Sequence, residues 1–414
     1  MDVNKVSDEI KRYVQCAMEF YQVEEKYDAV EECFLLFFMT QILDMSYRES
    51  WNTDVLKVIE KLVVTISRNP EYYINIYDSK MYSPIGMIAF SFHEITRKTG
   101  ELKAESEYLN NLLLENAIEK TRAFHKEKVS FATYDILSGI SGVVYYLLDC
   151  ADIMESVGKR LEIRSLLRFL IYLSEDYVYK GKQIPRYHIR RKYQLLKSER
   201  QEMKKGHINF GTAHGLMGPL VTLAKAKKYK MLEEKQEDAI GKLFGLYEQF
   251  CIEKNGISFY PRRLSVEDYV DGKSSDLTEN SGWCYGNLGI VRGLMKAACY
   301  REDANAYCDY LNKFVEIIEQ PTENYHLCSP ILCHGYGSVA SLQMYAFGES
   351  KDERCLTNLE RNMEMLLKEH KKKMEENEGY KFDLSILDGS AGVVLTMQNY
   401  ITKNLTYGKL LFMD

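Results

Sequence analysis

The chain has 414 residues, 46% hydrophobic and 28% charged, with a net charge of −6. That composition fits a globular protein with a large core, and the acidic balance argues against a general nucleic-acid binder, which needs a broad basic face. Ten cysteines are too sparse for a disulfide scaffold, and seven prolines suit a helical chain.

Residues 1–15 are charged and lack the apolar core of a signal peptide. The most apolar early run, Phe34 to Met39, is far too short to cross a bilayer. A cytoplasmic protein with reduced thiols is expected, and cysteines beside glycine and histidine there suggest metal or catalysis.

In chain order, residues 1–80 read as helices. Cys33 to Met45 is apolar almost all round and is expected to be buried. Asp54 to Ser67 has helical spacing and stops before Pro70. Tyr82 to Ile95 is the first of a series of turn-then-helix units. The others are Asp135 to Leu148, Gly211 to Ala224, Trp283 to Ala297, Cys333 to Tyr345 and Leu387 to Tyr400. Four hold Gly-x-x-Gly: Gly139/Gly142, Gly215/Gly218, Gly286/Gly289 and Gly389/Gly392.

Paired glycines let the backbone turn sharply and let helix starts crowd one another, with free N–H groups facing one centre. Between the units lie amphipathic stretches such as Glu234 to Phe250 and Leu356 to Met374, which suit an outer layer. Inner helix, outer helix, repeated and closed on itself, gives an α/α toroid in a single domain spanning 1–414; an open solenoid has the same period. The spacing between successive first glycines is 53 residues from Gly86 to Gly139 but 76 from Gly139 to Gly215, so something is inserted. Residues 160–208 contain it. From Lys180 to Lys205 ten Lys/Arg face only Glu199 and Glu202, a local charge of +8 on an acidic protein. A second long interval holds a strand-like stretch, Gly256 to Arg263, and a polar loop, Ser265 to Ser281.

The chemistry-bearing residues sit in the glycine turns. Cys284-Tyr285-Gly286 and Cys333-His334-Gly335 together offer a Cys₂His set. Three such ligands on zinc leave a fourth position open, the catalytic pattern, and zinc keeps a bound thiol deprotonated near neutral pH. The plain alternative is that Cys284 and Cys333 are small buried hydrophobes. His326 and Cys328 lie outside a glycine turn and rank below, and Cys299 and Cys308 read as core cysteines on a helix. His214, directly before Gly215, suits acid–base work, or is satisfied locally at its helix start. Asp135 could orient His214 or cap a helix. Tyr285 could donate to an oxyanion or fill the core, and Trp283 is read as packing.

With the motifs Gly211-Thr212-Ala213-His214-Gly215, Trp283-Cys284-Tyr285-Gly286 and Cys333-His334-Gly335 in that order, the chain resembles the lanthionine synthetase C family, the lanthipeptide cyclases. The resemblance runs from about Tyr82 to residue 414. It implies a seven-fold double helical toroid, with one zinc held by Cys284, Cys333 and His334 and water in the fourth site. It also implies lantibiotic maturation: cysteine thiols of a precursor peptide add to dehydroalanine or dehydrobutyrine and close thioether rings. His214 and Asp135 match the family's acid–base histidine and its aspartate, and Tyr285 also matches. The expected partners are the dehydrated precursor, leader plus core, and a dehydratase and transporter complex, through which the protein could sit peripherally at a membrane. The basic insertion is expected to hold the leader, with Lys182 to Ile189 offering a strand edge.

The chain departs from the family pattern at Asn280, where members often carry arginine. That leaves a charged enolate clamp to another residue such as Arg292, or leaves a zinc-stabilised scaffold without chemistry as the alternative. Ser338 replaces a second glycine and Ser83 a first. A glycosidase-like toroid ranks last, for want of a carboxylate pair at the turns.

Overall fold

The inner and outer stretches separate by their apolar pattern. The outer helix Ala304–Ile318 buries Tyr310, Leu311, Phe314, Val315 and Ile318, one stripe at helical spacing. The short inner helix Ile140–Leu147 is buried at every position. The computed structural model describes residues 3–24, 27–46, 51–124, 128–277, 279–403 and 406–414.

Among these residues, fourteen helices of eight residues or longer alternate between two layers. In chain order they are α1 (Val3–Glu19), α2 (Ala29–Ser46), α3 (Asn52–Arg68), α4 (Pro84–Thr99), α5 (Lys103–Arg122), α6 (Ile140–Leu147) and α7 (Val157–Ser174). Then come α8 (Met217–Lys228), α9 (Gln236–Gln249), α10 (Asn287–Arg301), α11 (Ala304–Ile318), α12 (Tyr336–Ser350), α13 (Leu359–Glu376) and α14 (Ser390–Thr402). Even-numbered helices form the inner ring, and odd-numbered ones pack outside them. The ring closes: α2 packs on α4, α6 on α8, α8 on α10, α10 on α12, α12 on α14, and α14 back on α2. Helices α4 and α6 meet through Tyr146, whose hydroxyl donates to the Ala89 carbonyl at 3.1 Å. Helix α1 lies against α14, where Ser390 Oγ donates to the Tyr13 hydroxyl at 2.8 Å. The seven-fold α/α toroid is therefore present, and the open solenoid is excluded.

The turn glycines are explained by close approach, not by a left-handed backbone. Gly286 precedes α10 in an extended conformation, φ −83°, and a Cβ there would stand 2.2 Å from the Gly282 carbonyl oxygen. A Cβ on Gly218 of α8 would meet the Ile136 side chain at 2.9 Å, so neighbouring helix starts do crowd. Backbone bonds then stitch the turns into a circle. Tyr82 N donates to Leu137 O (2.9 Å), Thr212 N to Cys284 O (2.8 Å), Cys284 N to Cys333 O (3.1 Å) and Cys333 N to Leu387 O (2.9 Å). Leu387 N donates to the Tyr82 hydroxyl at 3.2 Å. Asp135 and His214 join the remaining pair of turns.

Residues 406–414 fill the lumen. Tyr407, Leu411, Phe412 and Met413 are all buried. Phe412 stacks on Tyr145 of α6, Tyr407 bonds Ser341 of α12, and Met413 O accepts from Arg292 of α10. Trp283 Nε1 donates to Leu411 O at 2.9 Å, so Trp283 is packing, as its sequence context suggests.

Two excursions leave the ring. In the first, β1 (Asp176–Tyr179) and β2 (Lys182–Pro185) form a hairpin. Its two-residue turn, Lys180-Gly181, has both φ positive, the twist such tight hairpins favour. β3 (His207–Asn209) ends the excursion. In the second, β4 (Ile252–Lys254) pairs with β5 (Ile257–Phe259), and β6 (Arg263–Ser265) pairs antiparallel with β3, tying the excursions together. The loop expected from Ser265 begins as a helix, Val266–Asp271, because Ser265 Oγ accepts from Asp268 N and caps it. No helix among the described residues is long and apolar enough to cross a membrane.

Candidate metal centre and acid–base pair

The stitched turns deliver the predicted residues to one end of the ring. The backbone bond from Cys284 N to Cys333 O (3.1 Å) sets the two cysteines side by side, but Cys284 lies outside the one group of donor atoms among the described residues that are all within 4.8 Å of one another. Cys333 also contacts the His334 imidazole. Contact with Cys284 together with burial pushes the Cys333 thiol well above its ordinary pKa. Contact with Cys333 raises the His334 imidazole, against a smaller opposing effect of burial. Cys333 therefore bridges the predicted set. A soft sulfur pair with one imidazole is a donor set that suits zinc.

Asp388 joins the cluster and was missed. One donor atom each from Cys333, His334 and Asp388 lie within 4.8 Å of one another. Asp388 stands directly before Gly389, the slot His214 and His334 occupy before their glycines, so the repeat itself was the signal that could have found it. With Asp135 it makes two carboxylates at the glycine turns, where no pair was expected.

His214 and Asp135 form a pair. His214 Nδ1 lies 2.6 Å from Asp135 Oδ2, with the aspartate fully buried and the histidine side chain 24% exposed. Asp135 Oδ1 accepts from Ser138 N at 2.7 Å, so this one carboxylate both shapes its turn and holds the imidazole. Phe131 packs edge-on to the His214 ring at 4.7 Å. With Nδ1 engaged by the carboxylate, Nε2 is the nitrogen left for proton transfer.

Tyr285 connects the pair to the cluster. Its ring centroid is 6.5 Å from that of His214, and it follows Cys284 in the chain. Its hydroxyl accepts from Asn209 Nδ2 at 3.0 Å. Burial raises its pKa, and the nearby Arg263 charge and the Asn209 bond oppose that rise.

Other sequence expectations resolve differently. Arg292 is fully buried, and its guanidinium is committed to Glu349 (2.8 Å) at the far end of α12 from Cys333. It is not available to clamp an enolate at the turns. Asn280 shapes the backbone instead, with Oδ1 accepting from Gly282 N at 2.6 Å and Nδ2 donating to His326 O. His326 lies 3.8 Å from Glu279, and Cys328 is exposed. Cys299 is half-buried, but Cys308 is exposed on the outer helix α11 and is no core cysteine. In the basic excursion, Tyr179 and seven Lys/Arg, with Arg190, Arg191 and Lys192 among them, line a concavity of about 740 Å³ that has no carboxylate among its lining residues.

The molecule is a closed double ring of helices whose turns carry a thiol–imidazole–carboxylate cluster and a His–Asp pair. The chain belongs to the lanthionine synthetase C-like family, whose sequence model matches residues 35–412. Among curated proteins it is similar to the nisin biosynthesis protein NisC of Lactococcus lactis subsp. lactis, 25% identical over 380 residues, covering 88% of this chain and 85% of that protein. Among solved structures it resembles nisin cyclase, with a TM-score of 0.82, 20% identity and 98% of each chain covered.

Proposed function

We propose that this protein is a zinc-dependent lanthipeptide cyclase. It closes (methyl)lanthionine rings by adding precursor cysteine thiols to dehydroalanine or dehydrobutyrine. The observation that carries this is Cys333, close to His334 and tied through its turn to Cys284, with Tyr285 leading from that cluster to the His214–Asp135 pair. Zinc held by Cys284, Cys333 and His334, with its fourth site open to water and then to substrate, would supply a deprotonated yet nucleophilic sulfur near neutral pH.

The chain's own residues supply the rest. His214 Nε2 accepts the thiol proton, while Asp135 holds the imidazole in the tautomer that can do so. The sulfur forms a bond to the β-carbon as the double-bond electron pair moves toward the carbonyl as an enolate. His214 then returns its proton to the α-carbon, so protons balance over the turnover. The Tyr285 hydroxyl is within reach of that chemistry as a donor to the enolate oxygen.

We take the whole chain as one toroidal domain working in the cytoplasm, with the dehydrated precursor as substrate and a dehydratase and transporter as partners. The basic concavity suits acidic residues of the leader. The test is metal content of the purified protein and of Cys284→Ala, followed by incubation with dehydrated precursor and a count of alkylatable thiols. One zinc per chain, lost in the variant, and thiols consumed only by the zinc-loaded protein are expected. Bound zinc with no thiol consumed would leave a scaffold that holds the precursor without chemistry.

A further inference from the structure

Arg263 is a nearly buried cation that neither the cluster nor the acid–base pair accounts for. It sits on β6, with its side chain 15% exposed. Its guanidinium carbon lies over the face of the Tyr285 ring, 4.7 Å from the centroid. Its Nε is 2.8 Å from Glu199 Oε1, and Glu199 is itself buried, its side chain 6% exposed. Glu199 is one of only two acidic residues between Lys180 and Lys205. It turns away from the basic concavity, whose lining does not include it. Its other carboxylate oxygen accepts from Leu196 N at 3.2 Å, at the start of the short helix Lys197–Glu202.

Tyr285 is thus held from three sides. Arg263 covers one face, Asn209 bonds the hydroxyl at 3.0 Å, and the backbone at Gly211 is so close that a Cβ there would stand 2.5 Å from the ring. Asn209 and Arg263 are paired residues of the β3–β6 ladder, so one short two-stranded sheet supplies both holds. A planar guanidinium suits this place, because it can stack on a ring and pair with a carboxylate at once, which an ammonium does poorly.

We propose that Glu199 and Arg263 form a positioning pair for Tyr285, so that the basic excursion contributes to the reacting centre as well as to its own concavity. The pair keeps the ring in one orientation and its hydroxyl aimed at the developing oxyanion. That catalytic consequence rests on the cyclase reading above, whereas the positioning does not.

Two measurements separate these. Fluorotyrosine placed at residue 285 reports the ring by fluorine NMR without turnover. Its resonance is expected to shift and broaden in Arg263→Gln and in Glu199→Gln, to move less in Arg263→Lys, and to stay put in the concavity variant Lys197→Gln. An unmoved resonance in a folded Arg263→Gln overturns the proposal, whatever the protein catalyses. With dehydrated precursor, Arg263→Gln is expected to lower kcat about tenfold to a hundredfold with KM and zinc content little changed, less than outright loss of an aimed donor costs because the Tyr285 hydroxyl remains. If Arg263 acts through Tyr285, adding Arg263→Gln to Tyr285→Phe costs nothing further. Losses that multiply would overturn the catalytic role. An unmodified protein that consumes no thiol would overturn the cyclase reading while the fluorine result stands.

Discussion

At the residue scale, one carboxylate holds one imidazole. Asp135→Asn keeps the size of the side chain but removes the charge that fixes the His214 tautomer. The expected outcome is a fall in cyclisation rate of about 10²- to 10⁴-fold with zinc content unchanged, read by thiol consumption and metal analysis. Asp388→Ala is expected to leave zinc bound but weaken it by about 10- to 100-fold, read by chelator competition. Cys284 and Cys333 were legible because each stands two places before a turn glycine, and His214 because it stands in the slot directly before one. Asp388 stood in that slot too, but an aspartate beside glycine is so often a plain turn residue that it carried no weight. Arg263 could not be found from the sequence, since it lies in an irregular excursion and its partner Glu199 is 64 positions away.

A second residue-scale consequence concerns acid stability. Burial disfavours the charged form of Glu349, yet Arg292 and Lys296 overcome this and hold its pKa down from 4.5 to about 2. A lowered carboxyl pKa stabilises the fold above the unfolded value and loses that contribution as pH falls. Stability should therefore drop between about pH 4.5 and 2. Arg292→Met strands Glu349 against Lys296 alone and is expected to destabilise by about 3–5 kcal/mol, measured by urea unfolding.

At the element scale, helix starts are set by what a Cβ would strike. Gly289 lies on α10 behind the metal cluster, where a Cβ would stand 2.1 Å from the Trp283 carbonyl oxygen. Gly289→Ala must move backbone, and is expected to cost about 1–3 kcal/mol and to loosen zinc, because Trp283 precedes Cys284. The Gly-x-x-Gly spacing made these helix starts readable. The helix after Ser265 was not, since six residues carry too little periodicity to stand out. The basic excursion makes its own prediction. Reversing charge at Arg190, Arg191 and Lys192 is expected to weaken precursor binding and flatten its salt dependence, read by fluorescence anisotropy at several ionic strengths. Unchanged leader affinity would count against the concavity as the leader site.

At the scale of the whole molecule, the toroid was readable because its period recurs along most of the chain. The filling of its centre was not. Residues 406–414 carry no amphipathic pattern, and nothing in their composition says they end between seven helices. Yet they touch α6, α10 and α12 and lie under the turn that carries Cys284. Every helix of the inner layer precedes this plug in the order of synthesis. Until it threads home, the staves of the barrel face one another across a gap they cannot fill themselves. The slow phase of refolding should therefore belong to this late insertion, and chains caught before it should bind apolar dyes and hold zinc poorly.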